Sequence, residues 1–383
     1  MKLVDEFRDP KLGKKLLGRI RDLVEQTGRT ADHPIKLMEV CGGHTHSIFK
    51  FGLEEMLPDA LKLVHGPGCP VCVLPVGRVD DAVSLAENPG VIFCTYGDAM
   101  RVPGSKKSLA EAKAEGADIR TVYSPMDALE LATAHPDRLV VFFGLGFETT
   151  APSTALTVLE AQSRGADNFC VFSNHITIVP TLNALLETKD LSLDGFVGPG
   201  HVSMVIGIEA YQFVCDQYQK PFVVSGFEPL DVLQSVVMLL EQIVAGRAEV
   251  QNQYRRLVSD KGNPAAMMAI EQVFELREHF EWRGLGSIEQ SGLRFKEAFA
   301  KFDAEKRLSV PALRVEDPKA CQCGEVLQGR IEPWECKVFG TSCRPETPIG
   351  ACMVSSEGAC AAYYNYGRLS TLPVLKATAE SGA

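Results

Sequence analysis

From about residue 35 the chain settles into a rhythm that leaves few folds open to it: a short apolar run, a glycine-bearing turn, then a helix-like stretch. The runs fall at 35–40, 60–64, 91–95, 139–143, 169–173, 195–197 and 221–225, with helical patterns at 153–164, 181–187 and 230–245. Alternating strand and helix predicts an α/β fold with largely parallel sheets. In such sheets function sits in the loops beyond the strand carboxyl ends, and that is where the unusual residues of this chain lie. Before the alternation begins, Asp9-Pro10 predicts a helix start. Leu12, Leu16, Leu17, Ile20, Leu23 and Val24 follow at helical spacing, and Gly28 marks the end. Gly146-Phe147-Glu148 is echoed by Gly226-Phe227-Glu228, and Gly66-Pro67-Gly68-Cys69 by Gly198-Pro199-Gly200-His201, a pair of matches that hints at two related lobes. Residues 247–306 read as charged and helical, with a break at Trp282-Arg283-Gly284-Leu285-Gly286, and a cysteine-rich tail begins after Pro311.

At 383 residues, two or three domains are expected. A net charge of −10 argues against general binding to nucleic acid or an anionic membrane surface. No run reaches the ~18 to 20 apolar residues of a membrane span, and the N-terminus meets Asp5 and Glu6 before any apolar stretch, so no signal peptide is expected. The expected location is therefore cytoplasmic. There the twelve cysteines point to metal or redox chemistry rather than structural disulfides.

Three constellations carry that chemistry. In Met38-Glu39-Val40-Cys41-Gly42-Gly43-His44-Thr45-His46, a cysteine follows an apolar run at the start of a helix, with histidines beside it. That setting should lower the thiol pKa, favouring a thiolate that binds metal or attacks an electrophile. His46 fits a plain surface or cap role equally well. In Gly66-Pro67-Gly68-Cys69-Pro70-Val71-Cys72, the Cys-x-x-Cys spacing permits a reversible disulfide on what reads as a rigid exposed turn. It is also half of a zinc site, but the chain has no second such pair. The tail carries Cys321, Cys323, Cys336, Cys343, Cys352 and Cys360 on loop-like sequence, which suits an iron–sulfur cluster needing four of the six. The spacing alone leaves the choice of four open. Cys94, Cys170 and Cys215 sit in or beside apolar runs and read as buried, inert thiols. Glu148, His175 and His201 follow strands and are candidates to line a proton-handling cleft, whereas Thr149, Thr150 and Ser153 read first as helix caps. There is no Walker loop, and Gly144-Leu145-Gly146 lacks the third glycine of a dinucleotide fingerprint.

Taken together, Cys41–His46, Gly66–Cys72, Gly146–Pro152 and the tail resemble the HypD family of hydrogenase maturation factors, over about residues 30–368. The family's four tail cysteines are separated by 14, 6 and 16 residues, and Cys321, Cys336, Cys343 and Cys360 match those separations. By that resemblance these four would hold a [4Fe–4S] cluster, leaving Cys323 and Cys352 accessory. Cys41 would be the ligand of a transient mononuclear iron, and Cys69 and Cys72 a redox dithiol. His44 is a candidate for proton handling near the iron. The implied role is assembly of the iron–carbonyl–dicyanide group of [NiFe]-hydrogenase, with a HypC chaperone holding iron jointly and HypE delivering cyanide as a thiocyanate. A monomer acting through transient complexes is expected. The implied fold is α/β, two Rossmann-like parallel-sheet lobes plus an irregular C-terminal cluster region. The division would be an N-terminal helix over 1–30, a first lobe over 31–190, a second lobe with the helical segment over 191–310, and the cluster region over 311–383. The stretch 51–90 would be the part of the first lobe to pack on the second. Two other readings compete: an iron–sulfur thiol–disulfide reductase with Cys41 structural, and a zinc-stabilised interaction module.

Overall fold

The computed structural model describes residues 5–188, 192–308, 310, 312 and 314–367. Two parallel sheets organise it. The first has the order β2 (Leu61–His65), β1 (Ile35–Glu39), β7 (Gly195–Pro199), β8 (Phe222–Ser225) and β9 (Val250–Asn252). The second has the order β4 (Ile119–Thr121), β3 (Val91–Thr95), β5 (Leu139–Gly146) and β6 (Phe169–His175). Every pairing in both is parallel. The apolar runs are continuous because these strands are covered on both faces, and every residue of β3, β6, β7 and β8 is buried. The α/β, two-lobed reading of the sequence therefore holds.

The chain does not finish one sheet before starting the other. The strands at 35–39 and 61–65 hydrogen-bond to each other and, through β1, to β7, so the chain opens the first sheet, builds the second over 91–175, and returns. The boundaries drawn at 190 and at Pro311, and tail residues 368–383, lie outside the described residues.

The opening helix, Pro10–Thr27, forms as its sequence signals. The Asp9 side chain accepts from the N–H of Lys11 at 2.7 Å, and Gly28 ends the helix with φ 66°. Its apolar face, Ile20, Leu23 and Val24, joins Val232, Val236 and Leu240 of the helix Pro229–Val244 in one core over the first sheet. The segment 247–306 differs from its helical reading. It holds one helix of more than two turns, Pro264–Val273, short helical turns at Glu297–Phe302 and Ala304–Arg307, and two small antiparallel pairs: β10 (Phe274–Leu276) with β13 (Leu293–Phe295), and β11 (His279–Trp282) with β12 (Gly286–Glu289). Phe280 and Trp282 alternate with exposed or half-buried charged residues, a two-residue period. The Trp282–Gly286 break is the turn of β11–β12, with both glycines at positive φ. No helix among the described residues is long and apolar enough to cross a membrane.

Candidate functional site

Parallel strands deliver their following loops to one edge, and β1 carries the central one. In register, Glu39 stands opposite His65, so the Cys41 loop and the Gly66–Cys72 loop emerge side by side. They touch through backbone: a Cβ on Gly68 would lie 2.2 Å from the Cys41 nitrogen, and the Gly42 N–H donates to the Gly68 carbonyl at 3.2 Å. Only glycine allows that approach. The second Gly-Pro-Gly, at 198–200, ends β7 on the other side of β1. The two Gly-Pro-Gly segments thus flank Cys41 in one sheet rather than marking one lobe each.

Beneath this edge Glu39 is fully buried. Its carboxylate accepts the Cys41 N–H at 3.0 Å, the Thr45 hydroxyl, and the His65 Nδ1–H at 2.8 Å. His65 also faces Glu54 at 3.5 Å. Burial pulls the imidazole pKa down, but the hydrogen bond to Glu39 and the nearby Glu54 carboxylate outweigh it and push it up to about 10, so His65 is a buried cation at neutral pH.

Cys41 starts the helix Gly42–Lys50 with extended dihedrals. The expected lowering of its pKa does not occur. Burial raises the thiol far above its ordinary value, Glu357 and Glu39 add to the rise, and the N–H groups of Gly43 and His44 oppose it only in part. The His44 ring is buried on Phe227 at 4.6 Å, and Phe227 stacks on His201 at 3.9 Å. The His44 Nε2–H donates to the carbonyls of Gly226 at 3.0 Å and Ser225 at 3.2 Å. Two carbonyl acceptors fix the tautomer. Burial keeps the ring neutral, and Nδ1 has no partner among the described residues. His46 is peripheral, its ring edge-on to Tyr366 at 5.3 Å.

The dithiol is not exposed. Cys69 and Cys72 are buried, because the tail closes over the loop: a Cβ on Gly358 would lie 2.9 Å from the Cys72 Sγ. The Cys72 N–H donates to the Cys69 Sγ at 3.3 Å. Cys69 borders a cleft of about 800 Å³ whose walls include Cys41, Asp98, Phe147, His201 and Glu357. Cys72 points inward instead, its thiol near enough to those of Cys69 and Cys352 to act on them. Cys352 in turn meets Cys323, and Cys323 meets Cys321. Cys69, Cys72, Cys352, Cys323 and Cys321 are thus successive neighbours. The two cysteines set aside as accessory link the dithiol to the tail. Their only signal in the sequence is Cys321-x-Cys323, a spacing too tight for a zinc knuckle.

Cys321, Cys336, Cys343 and Cys360 lie near enough for their charges to act on one another. Among the described residues, no group of three or more His, Cys, Asp or Glu side chains is arranged to hold a single metal ion. The donor set nevertheless fits an iron–sulfur cluster: four soft thiols on short helices and turns, one of them (Cys343) receiving the Ile349 N–H at 3.4 Å. The surroundings leave a cradle as well, since a Cβ on Gly350 would fall 2.3 Å from the Cys321 Sγ.

Glu148 and His175 do not border the cleft. Glu148 is buried, and one carboxylate oxygen accepts the Ile178 N–H at 3.0 Å while the other has no partner among the described residues. Burial pushes its pKa up to about 7. His175 is clamped by the hydroxyls of Thr154 at 3.0 Å and Thr150 at 3.4 Å, and burial lowers it to about 4. Of the capping candidates, Thr150 occupies the cap position of the helix Ala151–Arg164 but makes no side-chain cap bond, bonding instead to the carbonyls of Leu145 and Phe147. Cys94, Cys170 and Cys215 are buried thiols whose pKa burial raises to about 12, 12 and 11.

Fold and site together define a double-sheet α/β protein with thiols gathered at the carboxyl edge of one sheet under a cysteine-rich tail. A family model described as the Hydrogenase formation hypA family (HypD) matches residues 11–367. The chain is 57% identical over 371 residues to the hydrogenase maturation factor HypD of Rhodobacter capsulatus, covering 96% of this chain and 98% of that protein. It is 54% identical over 366 residues to the HypD of Escherichia coli (strain K12), with the same coverage, and 52% identical over 374 residues to that of Azotobacter vinelandii, covering 96% and 97%. The chain belongs to the HypD family of hydrogenase maturation factors.

Proposed function

We propose that the chain is the redox-active scaffold on which the iron–carbonyl–dicyanide group of a [NiFe]-hydrogenase is assembled, with a HypC-type chaperone completing the iron site and a HypE-type protein donating cyanide. The observation that carries this reading is the backbone contact of Gly68 with Cys41, which sets Cys41 and the outer thiol of the dithiol, Cys69, on one cleft. Cys41 anchors the substrate iron, a soft thiolate suiting low-spin iron with strong-field ligands. Cys69 and Cys72 supply two electrons: two thiols and a protein thiocyanate, R–S–CN, become one disulfide, R–SH and HCN. Cys69 borders the cleft and attacks, and Cys72 closes the disulfide from inside. Cys321, Cys336, Cys343 and Cys360 hold a [4Fe–4S] cluster, which supplies electrons singly when bound. Cys352 and Cys323 join that site to the dithiol. His44 keeps a buried, unprotonated lone pair at Nδ1 free to accept a hydrogen bond beside the Cys41 helix start.

The test is anaerobic co-purification with the chaperone, followed by infrared spectroscopy of the cyanide and carbonyl stretches. Wild type should show the bands. Cys41→Ala should lose them while keeping the tail's iron and sulfide. Full bands from Cys41→Ala, together with none from Cys69→Ala, would leave a thiol–disulfide reductase in which Cys41 is structural.

A further inference from the structure

Trp282–Arg283–Gly284 passes between the dithiol loop and the cysteine tail and is tied to both. The Arg283 N–H donates to the carbonyl of Val73, next to Cys72, at 2.8 Å. Gly284, at φ 75°, lies against Gly324, next to Cys323, so closely that a Cβ on it would sit 2.5 Å from the Gly324 Cα. Trp282 packs on Phe147 of the cleft wall at 5.9 Å.

This places the Arg283 guanidinium in the interior, its side chain 1% exposed. One terminal nitrogen, Nη2, donates to the Pro103 carbonyl at 3.1 Å. Nε faces the Asp317 carboxylate at 3.3 Å without a well-formed hydrogen bond, and Nη1 has no partner among the described residues. A guanidinium carries five N–H donors and keeps its charge. Burying one with donors unpaired is costly unless negative charge lies nearby. Asp317 is one-third exposed and meets only one side of the group. On the tail side, Asp317 and Gly284 line one cavity together with Cys321, Cys323 and Gly324, so the guanidinium lies beside the tail thiols.

We propose that Arg283 is the buried counter-charge of the tail thiolate site and raises the reduction potential of the iron–sulfur group held there. The inference rests on the cluster reading above. Reduction adds one negative charge to a site already rich in thiolate, and a fixed positive charge in a low-dielectric interior favours the reduced form. Asp317 works against it by partly neutralising the guanidinium, so the two residues have opposite effects on one potential. Its exposed position tolerates substitution, and Asp317→Asn keeps an acceptor for the Gly284 N–H, which now donates to it at 2.7 Å.

The experiment is a redox titration followed by electron paramagnetic resonance on anaerobically purified full-length chain, with iron and sulfide counted in every sample. Arg283→Met should retain iron and sulfide but lower the reduced-to-oxidised ratio at the wild-type midpoint by about tenfold, or about 59 mV for a one-electron couple. Arg283→Lys should recover most of that shift, and Asp317→Asn should move the potential the other way. An unmoved potential in Arg283→Met, equal shifts in the Met and Lys variants, or an Asp317→Asn shift of the same sign would each overturn the proposal. If Arg283→Met fails to fold, the signs found for Arg283→Lys and Asp317→Asn still decide. Wild type without iron and sulfide would overturn the cluster reading itself, a result distinct from a bound cluster whose potential ignores Arg283.

Discussion

The Glu39–His65 pair underlies the whole carboxyl edge, and its strength can be worked from the structure. His65 is displaced from an ordinary value of 6.5 to about 10 while fully buried. At about 1.4 kcal/mol per pKa unit, that is worth roughly 5 kcal/mol of folding stability in acid and roughly 4 at pH 7. The second figure agrees with the ~3 to 5 kcal/mol expected when one member of a buried ion pair is removed. The sign follows from protonation: the folded state holds its proton more tightly than the unfolded one. The contribution is therefore complete below pH 6.5 and disappears as pH rises through about 10. Glu54 shares the proton's stabilisation at 3.5 Å, so Glu39 alone does not own all of it. Glu39→Gln keeps the shape and removes the charge. We expect it to cost roughly 3 kcal/mol at pH 7, with an interaction of roughly 2 kcal/mol in a double-mutant cycle with His65→Gln. Urea denaturation at several pH values between 6 and 10 measures both. The gap between wild type and Glu39→Gln should narrow as pH approaches 10. An interaction under about 0.5 kcal/mol, or a gap that ignores pH, would refute the buried-cation account.

Three further outcomes follow from the same geometry. Gly68→Ala forces a methyl to within 2.2 Å of the Cys41 nitrogen, so the two loops must part. Iron–ligand bands should vanish while tail iron and sulfide stay, and infrared spectra with wild-type bands would contradict this. Cys352→Ser interrupts the succession of neighbouring thiols without touching the four proposed cluster ligands. Iron content should hold, but re-reduction of a Cys69–Cys72 disulfide in the dithionite-treated protein should slow by on the order of tenfold or more, as read by mass-spectrometric thiol trapping. Iron capture at Cys41 must displace a proton held well above the ordinary thiol range. Apparent affinity for ferrous iron should therefore climb about tenfold per pH unit between 6.5 and 8.5 in anaerobic titrations, and a flat profile would remove Cys41 as the anchor.

The sheets were legible because continuous apolar runs such as 139–143 and 169–173 serve strands covered on both faces, and little else uses that pattern. β4 and β9 were not, being three-residue edge strands with exposed or half-buried positions. The segment 247–306 misled through its charge: Glu275, Arg277, Glu278, Glu281, Glu289 and Arg294 sit on the outward or half-buried side of short hairpins, where a charged helix gives similar composition. Which thiols matter was visible as spacing. Their surroundings were not, because the cover over Cys72 is Gly358 and Cys352, some 280 residues downstream, and local sequence cannot announce a lid so distant. For the same reason Cys41 reads as an activated helix-start thiol until Glu357 and burial are seen beside it. Glu148 and His175 were selected for following strands, yet their side chains turn into the interior behind the cleft wall.

That distant cover changes what the thiols are before any iron arrives. Burial raises Cys41, Cys72, Cys343 and Cys360, and adds to the rise at Cys321 and Cys323, so all six are held as neutral thiols. Cys352 alone is lowered, by Cys323 and Cys72 on either side. Thiolates, not thiols, are the nucleophiles and ligands, so a row of buried thiols is inert until positive charge is supplied. On the function proposed above, iron at Cys41 and iron in the tail would be such charges, and the buried Arg283 guanidinium is one the chain carries itself. Glu39 and Glu357 beside Cys41 push the other way, so its thiol would ionise only for a cation strong enough to overcome burial beside two carboxylates. Under the proposed function the scaffold would gain from that arrangement, since a protonated Cys41 is a poor target for oxidation and a cation would unmask it.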